Sequence, residues 1–161
     1  MTRSVAVRAG TNLVFGASGY IGSNLVPALV AAGHRVRATA RNVEVLEARG
    51  WNEVDLVRAD ALDVDSLRQA LAGVDTAYYL VHSMAAGRDF AAIDRQAAGN
   101  FARVAAEAGV RRIVYLGGLI PPDPRSQHLL SRAETGEVLR SFPVPVTEIR
   151  AGIIVGPGSA A

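Results

Sequence analysis

Three glycines in the run Gly16-Ala-Ser-Gly19-Tyr-Ile-Gly22 form the pattern in this chain most specific for chemistry. An apolar run, Asn12 to Ala17, precedes and overlaps them, and a stretch of helical period follows from about Tyr20 to Ala32. The glycines therefore fall where a strand turns into a helix. At such a turn the first glycine permits the reversal, the second lets backbone amides approach a diphosphate, and the third lets the helix press against the strand. Free amides at the helix N-terminus then meet the anion, with Ser18 available as a hydroxyl donor. A purely structural turn would also use small residues. Position at the opening of the first crossover gives the diphosphate reading its weight.

If a dinucleotide binds at this turn, the end of the second strand faces the adenosine ribose. An acidic residue there would accept from the 2′-hydroxyl, and an arginine would pair with a 2′-phosphate. The chain places Arg41 at that point and no carboxylate. A guanidinium fork matches a phosphate, so NADP is expected in preference to NAD, unless Arg41 is one more solvated arginine. Asp60, ending the third strand, is either a ligand contact at the carboxyl edge of the sheet or a helix cap, and the capping role suits Asp63 better. His82, at the end of the fourth strand, either positions cofactor or substrate or merely closes that strand. His128, at a helix start, is the other candidate for a catalytic proton donor, since imidazole titrates near neutrality, or it faces solvent. Tyr78 and Tyr79 are adjacent in a strand and point to opposite faces, as packing residues would. No metal-ligand set is expected.

These residues need a scaffold, and the apolar pattern supplies one. Strand-like runs at Asn12–Ala17, Arg35–Arg41, Val54–Asp60, Thr76–Ser83, Arg112–Leu119 and Val146–Val155 alternate with helix-like stretches at Tyr20–Ala32, Val43–Arg49, Asp63–Ala72, Arg88–Ala108 and His128–Arg140. Such alternation predicts an α/β fold, a doubly wound parallel sheet with crossover helices. Glycines at 33, 50 and 109 mark helix ends. Pro27 falls inside the first helix and should cost several kcal/mol unless its neighbours absorb a kink.

Composition sets the outer limits. In 161 residues, 50% hydrophobic and 20% charged with no Cys, a single core and a single domain are expected. All 17 basic residues are Arg. The absence of Lys excludes Schiff-base chemistry, a phosphate-loop lysine and a Tyr-Lys catalytic pair. The arginines are scattered and the net charge is only +2, so no nucleic-acid partner is expected. No run reaches the ~18 apolar residues of a membrane span, and MTRSVAVRAG has no apolar segment of signal-peptide length; a cytoplasmic protein without membrane association is the expectation.

Several segments together resemble the short-chain dehydrogenase/reductase superfamily on its extended or atypical side: the glycine turn, Asp60-Ala-Leu-Asp63, Asp75-Thr-Ala-Tyr-Tyr-Leu, Ala105 to Gly109 leading into Arg112-Ile-Val-Tyr, and Arg150 followed by Gly156-Pro-Gly158. Within it, YYLVHSM (Tyr78 to Met84), DRQAAGNFARVAAEAG (Asp94 to Gly109), YLGGL (Tyr115 to Leu119) and HLLSRAETGEVLR (His128 to Arg140) are similar to the NmrA-like, NAD(P)H-binding proteins. The resemblance implies a Rossmann fold with strand order 3-2-1-4-5-6. It also implies a nicotinamide dinucleotide over the carboxyl ends of the strands, contacting Gly16 to Ile21 (including Ser18, Gly19 and Tyr20), Arg41, Asp60, Ala61, Val81 and His82.

The family's usual Ser or Thr after the fifth strand and Tyr-x-x-x-Lys on the next helix are matched here by Gly117-Gly118 and His128-x-x-x-Arg132. Two functions stay open: an atypical NADP-dependent oxidoreductase acting on an unknown small molecule, or a non-catalytic dinucleotide sensor or interaction module. The resembled proteins continue beyond the sixth strand, so residues 1–161 are expected to be a fragment or minimal version that stops before the substrate-binding segment. An exposed sheet edge would then favour a homo-oligomer.

Overall fold

A computed structural model describes residues 10–83 and 87–159. Met84 of the YYLVHSM motif and the N-terminal segment that bears on a signal peptide lie outside the described residues. Six strands form one parallel sheet: β1 (Thr11–Phe15), β2 (Arg35–Ala40), β3 (Val54–Arg58), β4 (Val74–Tyr79), β5 (Arg112–Gly118) and β6 (Val146–Ala151), in the order β3-β2-β1-β4-β5-β6. The helices are α1 (Tyr20–Ala31), α2 (Glu44–Glu47), α3 (Val64–Leu71), α4 (Phe90–Glu107) and α5 (Gln127–Arg140), with a single 3₁₀ turn at Gly87–Asp89.

Alternation along the strands divides the core in two. Leu13 and Phe15 of β1, Ala77 and Tyr79 of β4, and Ile113 and Tyr115 of β5 pack with α3, α4 and α5 on one face. Val14 of β1 and Val36, Ala38 and Ala40 of β2 pack with Val26 and Leu29 of α1 and Leu46 of α2 on the other, where Tyr78 also lies. Helices on both faces leave the carboxyl ends of the strands as the open rim. The strand order reverses between β1 and β4, which is where ligands of open α/β sheets bind.

Several elements end short of the pattern read in the sequence, β1 at Phe15 and β3 at Arg58 by two residues each. β4 stops at Tyr79 and does not run on to Ser83. Its last rung is the Leu80 N–H donating to the Phe15 carbonyl at 3.0 Å, after which β1 turns away at Gly16 and leaves residues 81–83 without a partner on that side. β6 stops at Ala151, opposite Gly118 where β5 ends. The apolar run Ile153 to Val155 is therefore exposed chain and not strand. α2 begins one residue later and ends two residues earlier than the apolar pattern suggested. Pro27 is accommodated on the exposed side of an unbroken α1.

Candidate functional site

The first βα turn is shaped by two glycines with different tasks. Gly16 has φ +95°, a conformation open to glycine at little cost, and a Cβ there would press on Val81 of the segment after β4 at 2.9 Å. At Gly22 a Cβ would strike the Gly16 carbonyl oxygen and come within 2.6 Å of the Ala17 Cα. α1 thus lies against the turn at backbone distance. Gly19 is unlike both. Its backbone is ordinary extended chain (φ −72°, ψ 170°), and the nearest atom to a Cβ there would be the Gly16 oxygen at 3.6 Å. Nothing inside the protein requires glycine at 19. Gly19 also caps α1 with no side-chain hydrogen bond, and the first turn carries no acidic residue, so the opening amides of Tyr20 and Ile21 lack a side-chain partner.

A cleft of about 480 Å³ opens above this turn, within the range of small-molecule sites. Gly16, Ser18, Gly19, Arg41, Asp60, Ala61, Val81 and His82 all line it. Tyr20 and Ile21 do not line it and can contribute only from the first turn of α1. His128 also lies outside it, exposed at the start of α5 and stacked on Phe90 with ring centroids 4.7 Å apart.

Arg41, one residue past β2, is exposed on the cleft wall and has no carboxylate within 4.0 Å among the described residues. Asp60 is held by a local network. Its Oδ1 accepts from the Leu62 N–H at 2.9 Å, and the Ser66 hydroxyl bonds both its backbone N–H (3.0 Å) and its carbonyl (3.1 Å). Asp63, and not Asp60, caps α3, accepting from the amides of Asp65 and Ser66. Asp60 is thereby left with Oδ2 for an outside donor.

At the far end of the cleft the floor is aromatic. Phe15 and Tyr79 line it, with Phe101 and Tyr115 packed beneath in tilted and edge contacts. Burial raises the Tyr79 phenol far above its ordinary range and pushes Tyr115 up to about 12; neither ionises near neutrality. His82 is lowered to about 4, first by burial and then by the Arg132 guanidinium, with Asp94 pulling the other way. Its imidazole is neutral at pH 7, and its Nδ1 is buried without a hydrogen-bond partner.

The two glycines matching the family's usual hydroxyl position are occupied by neighbours. A Cβ on Gly117 would collide with the carboxylate of Glu148, and one on Gly118 would stand 3.2 Å from Leu129 Cδ2 and 3.4 Å from Arg132 Cδ. Sequence reading missed Thr39, Ile93, Asp94 and Ala97 of the cleft wall. For Asp94 the signal was present: it is the charged residue in the otherwise apolar buried stripe of α4, with Ala97, Ala98, Phe101 and Ala105.

The fit to a nicotinamide dinucleotide is therefore sound at three points: an uncapped helix start beside an uncrowded glycine, an anchored carboxylate, and an unpaired guanidinium. A family model described as NAD(P)H-binding matches residues 16–141. Cinnamoyl-CoA reductase 1 of Oryza sativa subsp. japonica is 37% identical over 109 residues, 63% of this chain and 32% of that protein. Sterol demethylase protein B of Methylococcus capsulatus is 34% identical over 127 residues, 73% of this chain and 39% of that protein. The chain thus spans about a third of the length of these relatives. Among solved structures, Citrobacter sp. triphenylmethane reductase complexed with NADP(H) superposes with a TM-score of 0.74 at 24% identity, covering 87% of this chain and 48% of that one. Bordetella bronchiseptica WbmG in complex with NAD and UDP gives 0.72 at 21% identity, covering 86% and 52%. Both of these share the fold. The chain belongs to the NAD(P)H-binding family, on the extended, NmrA-like side of the short-chain dehydrogenase/reductase superfamily.

Proposed function

We propose that this chain binds NADP(H) across the carboxyl rim of its sheet and serves an atypical oxidoreductase. The observation that carries the reading is Gly19: the protein itself does not need a glycine there, while a diphosphate lying on the start of α1 does. Amides at the start of α1 take up the diphosphate charge, with Ser18 beside them. The Asp60 Oδ2 accepts from a hydroxyl or amino group of the adenosine half. Arg41, exposed, unpaired and at the end of β2, supports a 2′-phosphate over a bare 2′-hydroxyl. The expected result for Arg41→Gln is a loss of about tenfold in NADPH affinity, with NADH affinity changed little. Equal weakening of both cofactors, measured by fluorescence titration, would remove the preference.

When bound, the cofactor supplies or accepts hydride. The chain's own contribution is placement and exclusion of water: the Phe15 and Tyr79 rings floor the cleft, and His82, lowered to about 4 and so almost never imidazolium at pH 7, offers the hydrogen bond of a neutral ring and no acidic proton. A second reading, a dinucleotide-binding module without turnover, is favoured by the side chains that fill the space at Gly117 and Gly118. Sustained NADPH oxidation with a panel of carbonyl and enone acceptors supports the oxidoreductase. Tight binding with no turnover across the panel supports the module.

A further inference from the structure

Asp94 is a carboxylate whose surroundings a packing role does not explain. It sits in the second turn of α4, only 7% exposed, within an apolar stripe, where an unbonded charge would be costly. Its Oδ1 accepts from the Ser83 N–H at 2.8 Å, and its Oδ2 accepts from the Ser131 hydroxyl at 3.1 Å. Ser83 directly follows His82, and Ser131 directly precedes Arg132. Each arm of the carboxylate therefore ends one residue from a group at the β4–β5 end of the rim. The Arg132 turn is fixed a second time, by the Tyr115 hydroxyl donating to the Arg132 carbonyl at 2.9 Å. The Arg132 stem lies over the end of β5, 3.4 Å from where a side chain on Gly118 would begin. No carboxylate lies within 4.0 Å of the Arg132 guanidinium among the described residues. Asp94 and His82 both line the cleft, at the end away from Arg41 and Asp60.

We propose that Asp94 is a positioning residue for the nicotinamide half of the cofactor: its two hydrogen bonds hold His82 at the cleft wall and tie the Arg132 turn of α5 to the same end of the rim. The proposal rests on the dinucleotide reading and deepens it. The His82 imidazole lines the cleft and suits an oxygen acceptor, such as the carboxamide of the ring, while the unpaired Arg132 guanidinium, not itself part of the cleft wall, stands on the α5 side over the end of β5. Beyond the last rung at Leu80 the segment 81–83 has no strand partner among the described residues; Val81 packs on the core, and the Ser83–Asp94 hydrogen bond ties the end of the segment to α4.

The test compares NADPH with 2′-phospho-ADP-ribose, the same molecule without the nicotinamide ring, by calorimetry on wild type, Asp94→Ala and Asp94→Asn. Asp94→Ala is expected to weaken NADPH about tenfold or more while leaving the ringless ligand within about twofold. Asp94→Asn, which can still accept from Ser83 and bond Ser131, is expected to recover most of the loss. Equal weakening of both ligands makes Asp94 merely structural and overturns the proposal, as does unchanged NADPH binding. Where Asp94→Ala does not fold, Ser131→Ala cuts the α5 arm alone; a loss of a few fold confined to NADPH supports the proposal, and no loss overturns it. A wild-type chain that binds neither ligand overturns the dinucleotide reading itself, and the proposal with it.

Discussion

His82 shows how one residue's setting decides its chemistry. In the sequence it was a histidine at the end of a strand, with a role in positioning or catalysis as one reading and simple strand closure as the other. Burial, and then the Arg132 guanidinium, lower it from its ordinary 6.5 to about 4 against the opposing pull of Asp94, which keeps it uncharged at neutral pH. The linkage has a definite sign. Between about pH 4 and 6.5 the unfolded chain binds a proton at His82 that the folded chain does not, so stability from this site falls as pH falls through that window. A partly buried site with this shift corresponds to about 2 kcal/mol between pH 7 and pH 4. His82→Asn should flatten that part of the profile: urea midpoints at pH 7 and pH 4.5 should differ less in the variant than in wild type. Identical differences would mean that the imidazole is not held neutral. None of this was legible from residue type, because desolvation depends on what the fold packs around the ring.

At the scale of elements, much was legible where periodicity is strong. β1, β2 and β3 alternate apolar residues between two helix-covered faces, and their positions follow from that alone. The glycine turn was legible too, because its glycines must fall between β1 and α1 for either of two physical reasons. The structure separates those reasons: Gly22 answers to the close approach of α1, and Gly19 to open space. Gly22→Ala should therefore destabilise the fold by about 1–3 kcal/mol, the usual cost of overpacking, read as a lower denaturation midpoint. An unaltered midpoint would show that α1 can move off the turn freely. What the pattern did not show is where strands stop. β4 and β6 end where their neighbours end, and the apolar residues beyond, Val81 in one case and Ile153 to Val155 in the other, extend the hydrophobic run without a ladder to join. Asp94 showed in the sequence only as a charge within an apolar stripe; its role did not, because its hydrogen-bond partners lie 11 and 37 residues away.

Among the described residues, β3 and β6 are the edge strands of the sheet. Next to β6 a group of apolar side chains stands in solvent: Leu119 at 59% exposure, Ile149 at 53%, Ile153 at 96% and Val155 at 79%. An open edge beside exposed apolar residues favours self-association, so light scattering on this chain should give a mass above 16.9 kDa that drops towards monomer in Ile149→Glu. A strictly monomeric wild type would contradict that expectation. No helix among the described residues is long and apolar enough to cross a membrane. Everything said of function depends on the cleft above the first βα turn accepting a diphosphate against the start of α1. The most direct measurement is a calorimetric titration of NADPH into wild type and Gly19→Val, with circular dichroism on both. Saturable one-to-one binding to wild type, at least about a hundredfold weaker in a variant of unchanged fold, is the predicted result; equal affinity in the two proteins would place the dinucleotide elsewhere and contradict the account.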